Sequence, residues 1–237
     1  MVPNLKKKLL TICCLFSAAV YAQGVPDSTV RKIDQLFARW NHEGMPGLAV
    51  GVVKNDSLIF AKGYGMSNLE YEVPITAKTR FYMASVSKQF TGYCITLLVR
   101  QKKINLDEDI RVYLPWFPDL KRKITVRNLL HHTSGIRDDL QLMAISGLGI
   151  EGGVTNELVL KTLKMQKDLN FDPGTRYSYS NSNYILLGEI VSVVSGKSLR
   201  QFADSAIFTP LQMGKTHFYD DPSELVDVSQ AYPNILE

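Results

Sequence analysis

The sequence has 237 residues, of which 45% are hydrophobic and 21% are charged, a balance typical of a globular protein and not of a disordered chain. The formal net charge is +4, and three of the positive charges are Lys6, Lys7 and Lys8. Residues 1–22 contain no acidic residue, so subtracting these three charges leaves +1 on residues 23–237. That near-neutral balance argues against binding to nucleic acid or to an anionic surface.

Residues 1–22 have the pattern of a secretory signal peptide. The three lysines precede an apolar run over 9–22 that ends in the small residue Ala22. An uncleaved membrane anchor is the alternative, but the run is short for a span of about 20 residues. A lipoprotein signal fits less well, because Cys13 and Cys14 lie early in the run. We therefore expect an exported protein, periplasmic or extracellular, with no stable membrane span after signal cleavage.

Cys94 is the single cysteine that remains after residues 1–22 are removed. A lone thiol in an exported protein offers no intramolecular disulfide and no cysteine metal cluster. It lies in the apolar pattern of a predicted helix together with Leu97 and Leu98. We therefore expect Cys94 to be a buried packing residue.

The first part of residues 23–237 predicts one helix and one β-hairpin. Asp27 and Ser28 are predicted caps of a helix whose apolar residues recur at helical spacing up to Trp40, and Gly44 ends it. Two β-rich runs, 47–54 and 57–65, are separated by two turn-forming residues, which predicts a hairpin.

From Ser85 onward the periodic segments are helical. Thr125 is a predicted helix cap, Gly196 is a predicted helix end, and Ser198 with Gln201 forms a capping box. The predicted helices cover 86–101, 125–132, 156–166 and 181–195, and a last one lies between the capping box and Pro210. With no internal repeat or linker in 23–237, this stretch is predicted to be one α+β domain.

The sharpest local signal is the Ser-x-x-Lys pattern formed by Ser85 and Lys88. A spacing of three places both side chains on one helix face, so the amine can approach the hydroxyl. A serine hydroxyl becomes a nucleophile when a neighbouring base takes its proton, and a lysine in its neutral form can do so. The alternative is a helix cap followed by a solvated lysine, and the pattern by itself does not exclude it.

A second signal follows a Pro-Gly turn and ends in Tyr179 and Asn181. A phenol and an amide two residues apart can face one pocket, where Tyr179 relays a proton and Asn181 binds an acyl-amide substrate. An ordinary turn with a helix cap at Asn181 is the alternative. The sequence contains no Gly-x-Ser-x-Gly elbow and no His-Glu-x-x-His zinc helix, and its four histidines lack metal-ligand spacing with cysteines.

Four segments in this order resemble the serine β-lactamase-like and penicillin-binding-protein superfamily, and within it the class C β-lactamase, D,D-peptidase and esterase branch. The resemblance extends from about Trp40 to about Phe218. The segments are 81–90 with Ser-x-x-Lys, 124–136 with His-His-Thr-Ser-Gly, 171–181 with Tyr-Ser-Asn and 210–216 with Pro-Leu-Gln-Met-Gly.

The resemblance implies a role for each matching residue. Ser85 corresponds to the acylated nucleophile, Lys88 to its activating base or proton carrier, and Tyr179 to the shared catalytic base. Asn181 corresponds to a residue that contacts substrate and Lys88. The histidine stretch at 131–135 corresponds to a structural helix end and turn, and no cofactor or metal is implied.

The superfamily also has a third element, Lys-Thr-Gly or His-x-Gly, on a strand beside the nucleophile, and this sequence contains neither. Lys215 and Thr216 are followed by His217, in a segment that does not predict a strand. A lone hairpin is marginal in water. We therefore expect a β-lactamase/transpeptidase-like fold, incomplete, with a helical subdomain and only the N-terminal hairpin of the antiparallel sheet. Residues 23–237 would then be the N-terminal portion of a longer domain.

These patterns together predict an exported serine hydrolase that cleaves an amide, an ester or a β-lactam through an acyl-enzyme on Ser85. Its substrate would be a small molecule or peptide, such as a D-amino-acid peptide. The truncated chain would be inactive or weak, because losing one oxyanion donor costs roughly 10²–10³ in turnover. The alternative is a non-catalytic module of the same fold that binds peptidoglycan or another ligand. Residues 137–170 are expected to rim the pocket.

Overall fold

The computed structural model describes residues 24–42, 44–147, 155–219 and 229, and the predicted signal peptide at 1–22 lies outside them. The chain divides into two compact units. The first contains the described residues up to Tyr82 together with residue 229, and the second contains those from Met83 to Tyr219. The predicted domain limits, 1–22 and 23–237, stay predictions.

The first unit contains the predicted helix and the predicted hairpin. In the hairpin, Leu48 pairs with Tyr64 and Lys54 with Ser57 in antiparallel register. Asn55 and Asp56 have φ values of 49° and 59°, the left-handed backbone that a two-residue hairpin turn requires. The elements are α1 (Asp27–Leu36), a 3-10 turn (Ala38–Trp40), β1 (Leu48–Lys54), β2 (Ser57–Tyr64), β3 (Met66–Asn68) and β4 (Val73–Pro74).

Two details of this unit differ from the prediction. The cap of α1 is Pro26, with no side-chain hydrogen bond, and Asp27 lies in the first turn instead of capping the helix. Proline is tolerated before the first helical turn because the backbone N–H that it lacks would have no partner within the helix. The described residues also contain a second, separate antiparallel pair, β3 with β4, whose strands are too short to show an alternating sequence pattern.

The second unit is helical in its described residues. Thr125 and Ser198 form the predicted caps, each as a complete capping box, and Gly196 ends its helix in left-handed backbone at φ 70°. A helix over Asp139–Ile145 was not predicted. The elements are a 3-10 turn (Ala84–Ser87), α2 (Lys88–Arg100), a 3-10 turn (Ile110–Val112), α3 (Val126–Leu130), α4 (Asp139–Ile145), α5 (Asn156–Lys164), α6 (Asn181–Ser195), α7 (Leu199–Ala203) and a π-helical turn (Asp204–Phe208).

The core of the second unit forms around α2 and α6, which pack against each other. Ile95 and Leu98 of α2 and Leu186 and Ile190 of α6 are fully buried, and each such side chain contributes roughly 1.5–3 kcal/mol by its transfer from water. Cys94 is buried beside them as a free thiol, as predicted, and burial raises its pKa to about 12. This packing fixes the N-terminal ends of α2 and α6 relative to each other.

None of the helices in the described residues is long and apolar enough to cross a membrane.

Candidate active site

Ser85 lies in the 3-10 turn that leads directly into α2, and Lys88 is the first residue of that helix. Lys88 Nζ donates a hydrogen bond to Ser85 Oγ over 3.1 Å. Ser85 is exposed and Lys88 is half-buried. Ala84, just before the serine, has φ 43°, a left-handed backbone that is uncommon for a residue with a side chain. Such local strain is often found at functional sites.

The second predicted pair comes from the start of α6 and meets the first pair at the same place. The Tyr179 hydroxyl lies 2.8 Å from Ser85 Oγ, and Asn181 Oδ1 accepts a hydrogen bond from Lys88 Nζ over 2.9 Å. The structure therefore brings together all four residues that the sequence singled out. They come from two segments more than 90 residues apart in the chain.

Backbone hydrogen bonds to the turn at 131–135 hold the segment that carries Tyr179. Ser178 N donates to His132 O over 2.9 Å, and Gly174 N donates to Thr133 O over 2.8 Å. Gly135 has φ 75°, and a Cβ at this position would lie 2.1 Å from the carbonyl oxygen of Phe171. The turn therefore requires glycine both for its backbone conformation and for the close approach of the two segments.

The side chain of His132 packs beneath Tyr179. Its ring centroid lies 4.5 Å from that of Tyr179 and 5.2 Å from that of Tyr184. Nδ1 accepts a hydrogen bond from the backbone N–H of Ser180 over 3.2 Å and lies 3.1 Å from Nδ2 of Asn183. Burial and the nearby Lys88 charge lower the pKa of His132, which favours a neutral imidazole. The imidazole of His132 thus packs against the ring of Tyr179 and accepts a hydrogen bond from the next residue in the chain, which holds the phenol in place.

Asp138, which no sequence pattern singled out, lies directly behind Asn181. Asp138 Oδ2 accepts hydrogen bonds from the Asn181 backbone N–H over 2.6 Å and from Asn181 Nδ2 over 3.0 Å. Oδ1 caps α4 by accepting from the backbone N–H of Gln141 over 3.2 Å. The sequence signal for Asp138 is that of an N-cap, an aspartate just before a helix. Its contact with Asn181 spans 43 residues and has no local signature.

Opposing electrostatic effects act on the Tyr179 phenol. Burial makes the largest contribution to its pKa and raises it, but hydrogen bonds with Lys88 and Ser85 and the Lys88 charge outweigh burial. The pKa of Tyr179 therefore lies below its ordinary value of 10. Lys88 Nζ also lies 5.1 Å from the Tyr179 ring centroid and 5.7 Å from that of Tyr184. A phenol in this setting gives up its proton more readily than one in water.

The arrangement has the parts of a nucleophilic site. A hydroxyl is within hydrogen-bond reach of two groups able to take or carry its proton, and an amide and a carboxylate hold one of those groups in place. Within the described ranges, no group of three or more His, Cys, Asp or Glu side chains is placed to hold a metal ion.

The family model described as Beta-lactamase matches residues 30–234. A D-aminopeptidase from Gluconobacter oxydans is 31% identical over 193 residues, which are 81% of this chain and 36% of that protein. The octameric penicillin-binding protein homologue from Pyrococcus abyssi is 29% identical with a TM-score of 0.73, over 86% of this chain and 48% of that one.

A D-amino acid amidase from Ochrobactrum anthropi is 25% identical, with a TM-score of 0.71 over 86% of this chain and 57% of that one. The chain thus spans a little over a third of the length of the curated relative named above. The fold agrees with the predicted mixed α+β class.

Proposed function

Because the chain belongs to the beta-lactamase family, we propose that it is a serine hydrolase that cleaves an amide or ester bond through an acyl-enzyme on Ser85. The observation that carries this proposal is the convergence of Lys88 and Tyr179 on the Ser85 hydroxyl, at 3.1 and 2.8 Å. A solvated lysine or a simple helix cap, the alternatives for these residues, would not require that convergence.

In the first step, Ser85 Oγ attacks the carbonyl carbon of the substrate and forms a new O–C bond. The Oγ proton passes to the Tyr179 phenolate oxygen, which is ready to accept it because the adjacent Lys88 stabilises the ionised form. The bond from the acyl carbon to the leaving nitrogen or oxygen then breaks, and the leaving group takes that proton from Tyr179. Ser85 is left as an ester of the acyl group.

In the second step, water attacks the ester carbonyl and Tyr179 accepts a proton from it. The Oγ–C bond breaks, Tyr179 gives that proton to Ser85 Oγ and so restores the hydroxyl, and the product leaves as a carboxylic acid. Asn181 contributes by fixing Lys88. One N–H of its amide is bonded to Asp138, so the other is available for a substrate carbonyl.

The substrate class that we propose is a D-aminoacyl amide, peptide or ester. This proposal rests on the relatives of the chain, which include D-aminopeptidases and a D-amino acid amidase. We further propose that the protein is exported, on the evidence of the signal-peptide pattern in residues 1–22. Both proposals concern the full-length protein, since the chain spans 36% of the length of the first of these relatives.

The test is covalent labelling of the full-length protein with a fluorescent fluorophosphonate, followed by mass spectrometry of the labelled peptide. We expect label on Ser85 and none on Ser85→Ala. The matched control is Ser178→Ala, which removes an exposed serine next to Tyr179 and should leave labelling unchanged. Absence of label on the wild-type protein would contradict the proposal and favour a non-catalytic binding module.

Substrate choice is tested separately, by comparing hydrolysis of D- and L-alanine p-nitroanilide. We expect faster release of nitroaniline from the D-enantiomer. Equal rates, or a preference for the L-enantiomer, would contradict the substrate class and leave the Ser85 chemistry intact.

A further inference from the structure

We infer that Asp138 is a positioning residue that orients the amide of Asn181 so that its oxygen faces Lys88. This inference rests on the function proposed above, because its consequence is the placement of Lys88 against Ser85. Asp138 does not contact Ser85 in any of its hydrogen bonds described above. It acts through Asn181.

The geometry that carries the inference is a chain of three hydrogen bonds. Asp138 Oδ2 accepts from Asn181 Nδ2 over 3.0 Å, Asn181 Oδ1 accepts from Lys88 Nζ over 2.9 Å, and Lys88 Nζ donates to Ser85 Oγ over 3.1 Å. The same Asp138 oxygen also accepts from the Asn181 backbone N–H over 2.6 Å. Asp138 therefore holds both the main chain and the side chain of Asn181.

The chemistry of the groups allows one orientation of this amide. An ionised carboxylate has only acceptors and an ammonium group has only donors, whereas an amide has one end of each kind. With its NH₂ toward Asp138 and its oxygen toward Lys88, Asn181 satisfies both neighbours. The opposite orientation would place oxygen against carboxylate and NH₂ against ammonium, and both contacts would be repulsive.

Burial makes this arrangement costly to disturb. Asp138 is 7% exposed, and a carboxylate removed from water needs hydrogen-bond donors to remain charged. Asn181 supplies two of them, and the backbone N–H of Gln141 at the start of α4 supplies a third. Without Asp138, no acceptor holds the NH₂ group of Asn181, and the amide is free to rotate. Lys88 then loses the oxygen acceptor that aligns it with Ser85.

Asp138 also affects the charge balance around the phenol. Its negative charge is one of the influences that raise the pKa of Tyr179, against the lowering effect of Lys88. The other titratable groups facing this cluster are His132, Tyr184 and the buried Asp139. Loss of Asp138 removes this raising influence, whereas the displacement of Lys88 weakens the lowering one, so the two effects on the pKa of Tyr179 oppose each other.

The experiment compares Asp138→Asn with wild type in the kinetics of Ser85 labelling on the full-length protein. Asparagine caps helices about as well as aspartate, so α4 keeps a cap. We expect the maximal labelling rate to fall on the order of 10–100-fold, since a small misplacement of a reacting group costs about 10². The reagent concentration at half-maximal rate should change little.

The matched control is Thr155→Ala, which removes the side-chain cap of α5 away from the cluster. We expect it to lower stability without changing the labelling rate or its pH profile. A double-mutant test adds a readout that a purely structural role would not produce. If Asp138 acts through Asn181, Asp138→Asn has little further effect in an Asn181→Ala background.

Three results would overturn the inference. The first is a labelling rate in Asp138→Asn equal to that of wild type. The second is full additivity of the effects of Asp138→Asn and Asn181→Ala in the double mutant. The third is a slowing of labelling in Thr155→Ala equal to that in Asp138→Asn. If the wild-type protein is labelled and any of these results is obtained, the inference about Asp138 fails and the proposed function is retained. If wild type is not labelled, the side-chain amide protons of Asn181 test the inference by NMR, because one should be protected from exchange in wild type and released in Asp138→Asn. If Asp138→Asn does not fold, Asp138→Ser, which also keeps a capping oxygen, takes its place.

Discussion

Replacement of Tyr179 by phenylalanine separates the chemistry of the phenol from its packing. The change removes the hydroxyl that lies 2.8 Å from Ser85 Oγ. It leaves the ring, which packs on His132 at 4.5 Å and lies 5.1 Å from Lys88 Nζ. We therefore expect a large loss of reactivity with little loss of stability.

The magnitude follows from the role proposed for the hydroxyl. A positioned general base contributes about 10²–10⁴-fold, equivalent to about 3–5 kcal/mol of transition-state stabilisation. The folded state loses one hydrogen bond, worth about 0.5–1.5 kcal/mol. Because Tyr179 is 42% exposed, water can replace much of that interaction. The effect on labelling should therefore exceed the effect on unfolding by several kcal/mol.

The assay measures the fluorophosphonate labelling rate of Ser85 and the urea unfolding midpoint on the same samples. Tyr177→Phe is the control, because this residue also packs against His132, edge-on at 6.1 Å, and is 70% exposed. We expect Tyr177→Phe to label at the wild-type rate. A Tyr179→Phe variant that labels within threefold of wild type would refute the base role of Tyr179 and leave Lys88 as the only proton acceptor in this scheme.

Three further predictions follow from the same geometry. The labelling rate should rise with pH through a pKa below 10, because the phenol of Tyr179 must be ionised and its pKa is lowered; a rate that rises only above pH 10 would contradict this. His132→Leu should destabilise the fold by about 1–3 kcal/mol in urea unfolding, because it leaves the buried N–H of Ser180 without its acceptor, and it should also slow labelling; an unchanged midpoint would show that the imidazole is not needed. Gly135→Ala should lower the melting temperature and the labelling rate together, because its Cβ would lie 2.1 Å from the Phe171 carbonyl oxygen; a variant as stable as wild type would show that the two segments can separate at no cost.

The parts of the fold that the sequence predicted well depend on local chemistry. The turn at Asn55 and Asp56 and the caps at Thr125 and Ser198 are each decided within four residues, so a short pattern carries enough information. Helix α4 was missed because it is only seven residues long and its last four residues, Leu142–Ile145, are all apolar, a run that shows no helical period.

The candidate site was predictable to a different extent. Ser85 and Lys88 are three residues apart, so helical geometry alone places them together. The family resemblance predicted that Tyr179 and Asn181 lie beside Ser85 and Lys88, whereas no local sequence pattern predicts this contact. The contact between Asp138 and Asn181 depends on how the residues between them fold, and no pattern in the sequence marks it.

Ser85 and Tyr179 are 94 residues apart in the chain and come together in the folded protein. The reactivity of the serine is therefore expected to report on folding. In an unfolded chain these groups are far apart on average, and the hydroxyl has the low nucleophilicity of free serine. Under the proposed function, an activated hydroxyl is expected only in molecules in which α2 and α6 are packed together. The fraction of protein that a fluorophosphonate labels at saturation should therefore count the native molecules in a preparation, and we expect that it can be followed during refolding or storage without any substrate.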